Sequence, residues 1–324
     1  MRVPIIILSV FLAILLLGEI IARRLKNRRP SVAQLAGTAT ALTYDKLGKK
    51  GDFGNQMFQI AATFAAAKRY GASFFLSGSQ QPVYKVFDLE GLIEPRSGAR
   101  RQLHEFGTYD PIIPGVGLNN VRGYRQSYKY FHEYRDQVRS LFTVRQQLVD
   151  AVRSRLPRHY VAIHVRRGDY LKVPLYAVCG TGYYRAAIES CATAKLPVIV
   201  CTDDRKWVAE SKELGGYGLS PPVEGVPSYI TDFITLIFAD YCVIANSTFS
   251  WWAAYLGNAK AVFLPSQWYN EKDWRVRGLR LSHPTDFCVP GWIRLHNDSG
   301  EVVHERGGSD SGLATVKLIL GLTT

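Results

Sequence analysis

Apolar and polar positions divide the chain into regions of different character. Residues 5–17 are apolar except for Ser9, and the apolar stretch runs on to Ile21 around Glu19. Roughly 17 residues at ~1.5 Å each reach about 26 Å, enough for a thin bilayer. A helical period appears at Met57, Ile60, Ala61 and Phe64. It predicts a helix over residues 56–70, after a glycine loop at 51–55 and before a strand at 73–76. Residues 77–130 are interrupted by Gly and Pro and read as irregular, with short elements. A mixed charged and apolar helical pattern covers 134–156 and stops at Pro157. Apolar runs follow at 160–165, 197–202, 241–245 and 261–264, with helical segments at 183–194, 206–214, 232–240 and 250–256 between them. Strands alternating with helices predict an α/β domain with a parallel sheet.

Composition narrows the class. With 324 residues and 47% hydrophobic positions, the chain has the apolar surface to fold, which excludes a disordered protein. A single stretch of membrane-spanning length excludes a polytopic membrane protein. The net charge of +13 is partly local: six basic residues against Glu19 give residues 1–30 a charge of +5, leaving +8 elsewhere. A basic balance points to an anionic partner. No basic stripe with interleaved aromatics accompanies it, so nucleic acid is not the expected partner.

The apolar run reads as an uncleaved membrane anchor through residues 3–21, with a basic flank to residue 30 and a short stem over 31–45. A cleaved signal peptide is the alternative, but Ala22-Arg23-Arg24 just after the run makes a poor cleavage site, and Ala39-Thr40-Ala41, with the right small residues, lies far downstream. The basic residues after the run conflict with a lumenal domain under the positive-inside rule. The five cysteines form no Cys-x-x-Cys pair, so a structural zinc is not expected. Cys201 and Cys242 read as buried thiols. Of two glycosylation sequons, Asn246 falls in an apolar segment and reads as inaccessible; Asn297 reads as a loop site usable in a lumen.

Four clusters carry candidate chemistry. His164-Val165-Arg166-Arg167-Gly168-Asp169-Tyr170 directly follows a strand, and ligands of open α/β sheets bind beyond the carboxyl ends of strands. Two arginines there offer forked donors to a phosphate. Thr202-Asp203-Asp204 ends the next strand; such carboxylates read a ribose or base, or cap the following helix. Asn246-Ser247-Thr248-Phe249-Ser250-Trp251-Trp252 leads from a strand end into a helix, a setting for anion binding or for plain N-capping. Gly51-Asp52-Phe53-Gly54-Asn55-Gln56 permits close backbone approach to a ligand and matches neither the dinucleotide nor the P-loop fingerprint. No Asp-x-Asp triplet occurs, so a metal-bound diphosphate is not indicated.

Together these residues resemble glycosyltransferase family 11, the α-1,2-fucosyltransferases, across most of residues 48–270. Gly54-Asn55-Gln56-Met57-Phe58-Gln59 before an Ala-rich helix is similar to that family's first motif, with Gly51-Asp52 departing from its usual opening. His164 to Tyr170, Thr202-Asp203-Asp204 and the segment from Ser247 to Gly257 are similar to three further motifs. The resemblance implies a GT-B-type α/β fold: two Rossmann-like subdomains facing a cleft, at 46–157 (acceptor side) and 158–324 (donor side), after one transmembrane helix. It implies inverting, metal-independent transfer of fucose from GDP-β-L-fucose, a co-substrate, to the 2-hydroxyl of a terminal β-galactose, without a cofactor. Another linkage or acceptor, or a non-catalytic membrane-tethered protein binding GDP-sugar or glycan, is the alternative. An anchored member implies a eukaryotic Golgi or a viral setting, with a type II Golgi enzyme and a lumenal catalytic domain as the expectation and the basic flank leaving lumen against cytosol open. Carried over, Arg166 and Asn55 are the catalytic residues. Arg166, His164, Asp203, Asp204, Ser247, Thr248, Ser250 and Gly54 bind GDP-fucose, and Arg167 and Asp169 pair within the loop as structural support.

Overall fold

Two parallel sheets form from very different sequences. The computed structural model of the chain describes residues 40–49, 51–76, 81–93, 100–105, 109–270 and 281–304. The apolar run, its basic flank and residues 31–39 lie outside the described residues. Among the described residues no helix is long and apolar enough to cross a membrane.

The first sheet has the order β2-β1-β4-β3, from β1 (Ala41–Thr43), β2 (Ser73–Phe74), β3 (Arg101–Leu103) and β4 (Leu118–Val121), all parallel. β1 falls within the segment expected to be a stem. Three residues give no readable period, yet all are buried in the middle of the sheet. The expected irregular region likewise holds β3, β4 and a short helix, α2 (Pro82–Val86), which follows the first helix, α1 (Phe53–Arg69). In β4, Asn119 and Asn120 are fully buried, which breaks the apolar signature of a strand. Asn119 donates to the carbonyls of Gly115 and Gly117 at 2.7 and 2.9 Å, so it is paid in hydrogen bonds for its burial.

α1 joins this sheet to the rest. A helix that is apolar nearly all round is a central one, and α1 buries thirteen of its seventeen residues. It packs on β1 and β2 and, on another side, on a helix of the second unit. Lys68 and Arg69 in its last turn complement the helix dipole.

The helical pattern over 134–156 folds as two helices, α3 (Arg135–Leu141) and α4 (Gln146–Arg153). Between them Val144 bridges Phe87, and the Arg145 N–H donates to the Val86 carbonyl. Pairing with α2's exit replaces the helical bonds at that point.

The second sheet comprises β5 (Val161–Val165), β6 (Val198–Thr202), β7 (Gly218–Leu219), β8 (Tyr241–Val243), β9 (Ala261–Pro265) and β10 (Ile293–Leu295). Helices α5 (Thr181–Cys191), α6 (Arg205–Glu210), α7 (Ser228–Ile237) and α8 (Thr248–Leu256) connect them. The order is β10-β9-β8-β5-β6-β7, all parallel. β5 is buried throughout, as its β-branched run requires of a central strand. From β5 the chain winds one way through β6 and β7, then returns to β8 on the other side. That is a doubly wound sheet of the Rossmann type, and its direction reverses between β5 and β8. The expected α/β class with parallel strands is thus present, as two sheets.

α8 meets α1 across an aromatic joint. Phe58 of α1 lies 4.6 Å from Trp251 and 5.1 Å from Trp252, ring centre to ring centre, and Phe131 stacks on Trp252 at 5.1 Å. Both indoles are fully buried.

Candidate active site

The direction of winding reverses between β5 and β8, and in doubly wound sheets ligands bind at the strand ends beside such a switch point. The loop after β5 carries Arg166 to Tyr170, and the turn after β8 carries Asn246 to Thr248. Thr202-Asp203-Asp204 ends β6, so three of the four clusters meet on one edge of the sheet.

Arg166 is held between two carboxylates, Asp203 at 3.0 Å and Asp169 at 2.5 Å. Its guanidinium also lies 5.0 Å from the centre of the Tyr170 ring, and its Nε is buried without a hydrogen-bond partner. Arg167 turns away from Asp169, the partner expected for it within the loop. Its side chain pairs with Asp204 at 3.3 Å and stacks over Trp207 at 4.1 Å, while its N–H donates to Asp203. Asp204 also caps α6, accepting from the Trp207 N–H at 3.1 Å. Of the two acidic candidates, Asp204 is therefore committed to the loop and the helix cap. Asp203 faces Arg166, and Gly168 lies so close that a Cβ there would sit 2.6 Å from an Asp203 oxygen. A side chain at 168 would push the carboxylate off the arginines.

His164, on β5, is buried against Phe249, 5.4 Å between ring centres. Burial, reinforced by the Arg166 charge, pushes its imidazole down to about 3, so it is neutral and its Nδ1 has no hydrogen-bond partner.

The helix expected to open at Ser250 opens at Thr248. Ser247 and Thr248 stand at its first turn, where the N–H groups lack intrahelical partners. Ser250, expected at phosphate oxygens, is fully buried, and its hydroxyl donates to the Ser247 carbonyl at 3.3 Å. One turn into the helix, a small hydroxyl satisfies itself on the backbone behind it.

Gly54 lies in the first turn of α1, against the start of α8. A Cβ on Gly54 would fall 2.5 Å from the Thr248 carbonyl carbon and 2.6 Å from the Phe249 nitrogen. The two helix N-termini touch through this glycine. Asn55, one residue on, accepts from Gln126 Nε2 at 2.5 Å, and Gln126 Oε1 accepts from the Tyr269 hydroxyl at 3.1 Å. Asp52 is exposed and its side chain makes no cap bond.

Sequence reasoning passed over Gln126, Tyr269 and Asp232. Gln126 follows β4 by five residues and would have drawn notice as a strand-end residue had β4 been legible. Asp232, on α7, lines a small cavity of about 80 Å³ with Arg205, Ser220 and Pro222 beside β6's exit. Burial raises its carboxyl to about 6.

Asn297 corrects the glycosylation expectation. It is buried, and its Nδ2 donates to the Ala177 and Gln267 carbonyls at 3.0 and 2.9 Å. The nitrogen that would carry a glycan is committed inside the fold. Asn246 is buried as well, donating to the Trp268 carbonyl at 2.9 Å. Cys201 and Cys242 are buried thiols, as expected.

Comparison with known proteins places these loops in a family. The galactoside α-(1,2)-fucosyltransferase 1 of Saimiri boliviensis boliviensis is 28% identical over 291 residues, covering 82% of this chain and 77% of the relative. The Bos taurus protein of the same name is 28% identical over 295 residues, covering 82% and 78%. Among solved structures, the fucosyltransferase NodZ from Bradyrhizobium matches with a TM-score of 0.45 at 15% identity, covering 68% of this chain and 94% of that one. The profile of Glycosyl transferase family 11 matches residues 113–292, more than half of the chain. That stretch holds the loops after β5, β6 and β8 together, so the chain belongs to glycosyl transferase family 11 and is a glycosyltransferase.

Proposed function

We propose that the enzyme is a galactoside α-1,2-fucosyltransferase, moving L-fucose from GDP-β-L-fucose to the 2-hydroxyl of a terminal β-galactose with inversion and without a metal. The observation that carries this reading is Arg166 just after β5, the strand paired with β8, whose exit leads to the α8 N-terminus, where no side chain caps the helix. In this reading fucose leaves as an oxocarbenium-like species, and the charge growing on the GDP β-phosphate is met by Arg166 and the α8 N–H groups. Asp169, with 63% of its side chain exposed, is the Arg166 partner that a phosphate oxygen replaces; Asp203 stays and aims the guanidinium. Ser247 and Thr248 hold phosphate oxygens, neutral His164 packs beside the nucleotide, and Asn55 reaches the donor from the first unit.

The test is incubation of the enzyme with GDP-fucose and a panel of galactose-terminated acceptors, followed by linkage analysis. An α-1,2-linked product, formed equally with a chelator present, is expected. Fucose on another hydroxyl or on peptide, or no consumption of GDP-fucose, overturns the assignment.

Residues 3–21 are read as the anchor of a Golgi enzyme with its catalytic units in the lumen. Protection of those units from added protease in sealed vesicles is expected; digestion places them in the cytosol. Asn297 is unsuited to report topology, because its amide is engaged within the fold.

A further inference from the structure

The reading of Asn55 as a donor-facing residue leaves open which end of its amide faces the sugar nucleotide, and three residues far apart in sequence decide it. Gln126 donates from Nε2 to Asn55 Oδ1, and Tyr269 donates from its hydroxyl to Gln126 Oε1. The span from Asn55 to Tyr269 joins α1, the loop after β4 and the loop after β9, and so crosses from the first unit to the second. Tyr269 is itself fixed: its backbone bridges Tyr176, whose ring stacks on Tyr170 at 4.0 Å, and Tyr170 lies under Arg166. Burial keeps the Tyr269 phenol protonated, so its O–H is available to donate. On its other side Asn55 packs on Gly51, where a Cβ would fall 2.4 Å from Asn55 Nδ2. Gly51 has φ +80°, a conformation that favours glycine.

We infer that Gln126, anchored by Tyr269, is a positioning residue that holds the Asn55 carbonyl and so presents the Asn55 NH2 group to the donor. An Asn amide has an acceptor end and a donor end. The acceptor end is occupied by Gln126, and among the described residues Nδ2 has no partner. Asn55 therefore works as an N–H donor toward an oxygen of the sugar nucleotide or of the attacking hydroxyl, and does not take up the acceptor's proton. The inference rests on the fucosyl-transfer reading for the ligand, and on hydrogen bonds of this chain alone for the geometry.

Gln126→Glu tests it in the full enzyme. Well above the usual glutamate value of ~4.3, the new carboxylate can only accept, so it repels Asn55 Oδ1 and draws Nδ2 away from the ligand. The expected result is a fall in kcat of about tenfold or more, the scale of a misplaced contact, with KM for GDP-fucose little changed. As pH falls toward carboxyl protonation, the variant regains a donor and recovers activity relative to wild type. Tyr269→Phe lowers kcat in the same direction, less and without the pH-dependent recovery. A variant with wild-type kcat and pH profile, or a loss that is the same at every pH, overturns the inference. Thermal melts of Asn55→Ala, Gln126→Ala and the double variant read the contact without turnover. Tm losses smaller in the double variant than their sum are expected, and strict additivity overturns the inference. If wild type transfers no fucose, the functional reading fails while the melts still judge the geometry.

Discussion

The two sheets reach similar parallel order by opposite means. In the second, β5 and β9 are five-residue strands buried along their whole length, and apolar contact defines them. In the first, strands of two to four residues are tied by side chains: Asn120 accepts from the Asp45 N–H and donates to Gln102, and Asp45 pairs with Arg100 and Arg122. Arg125 is buried, holding the Leu103 carbonyl at 2.8 Å and the Arg122 carbonyl at 2.8 Å with φ +53°. The difference teaches where each unit's precision lies. The second sheet is a rigid frame that delivers charged loops at its switch point. The first is a polar lattice that reaches the site through α1, by Gly54 and Asn55, and through Gln126 in the loop after β4.

Substitutions at named positions can break this division or sharpen it. The largest effect is expected in the second unit's loop: Arg166→Ala should cut kcat by roughly a hundredfold or more, the scale of losing a transition-state donor, with an unchanged circular dichroism spectrum. Near-normal turnover would remove Arg166 from the centre of the site. Next comes the joint. Gly54→Ala forces a methyl into the Thr248–Phe249 peptide, and overpacking of this kind costs ~1–3 kcal/mol. Thermal melts should show that loss together with weaker GDP binding, and a stable variant of full affinity would uncouple the two helix ends.

A third comparison uses pH. The unfolded His164 imidazole binds its proton near 6.5 and the folded one near 3. Between those values the unfolded chain holds more protons, so this residue's contribution to stability falls as pH falls, by up to ~1.4 kcal/mol per pH unit. Asp232, raised to about 6, acts in the opposite sense between 3.8 and 6, so the variant difference is the clean measure. Denaturant melts of His164→Asn against wild type should converge as pH drops from 6.5 toward 5; parallel curves would mean that the imidazole is not held neutral. The smallest effect is expected at Ser250→Ala, about 1 kcal/mol of stability with KM for GDP-fucose unmoved. A raised KM would return Ser250 to the phosphate site.

These contrasts also explain what was legible in the sequence. The runs that became β5, β6, β8 and β9 announce themselves because burial on both faces demands continuous apolar residues. β1 and β4 do not, since Ala41-Leu42-Thr43 is too short and Leu118-Asn119-Asn120-Val121 carries amides where a period-two rule expects apolar groups. Residues of the candidate site followed the same line. Arg166, Asp203 and Ser247 were visible because each sits just beyond a legible strand. Partner choice was not: nothing in the spacing says that Arg167 takes Asp204 rather than Asp169, or that Ser250 turns inward. Gln126 and Tyr269 were invisible because they lie 143 residues apart and meet only once both units are in place.

The paired indoles at the α1–α8 joint give the molecule a built-in optical signal. Trp251 and Trp252 lie 5.1 Å apart with their planes at 79°, close and skewed enough for their transitions to couple as an exciton pair. Phe58 and Phe131 seal them in place from the first unit. Any event that shifts one unit against the other rotates the pair's surroundings. Donor binding, closure or partial unfolding of the joint can therefore be followed by the ellipticity and emission of the native chain, without an attached dye.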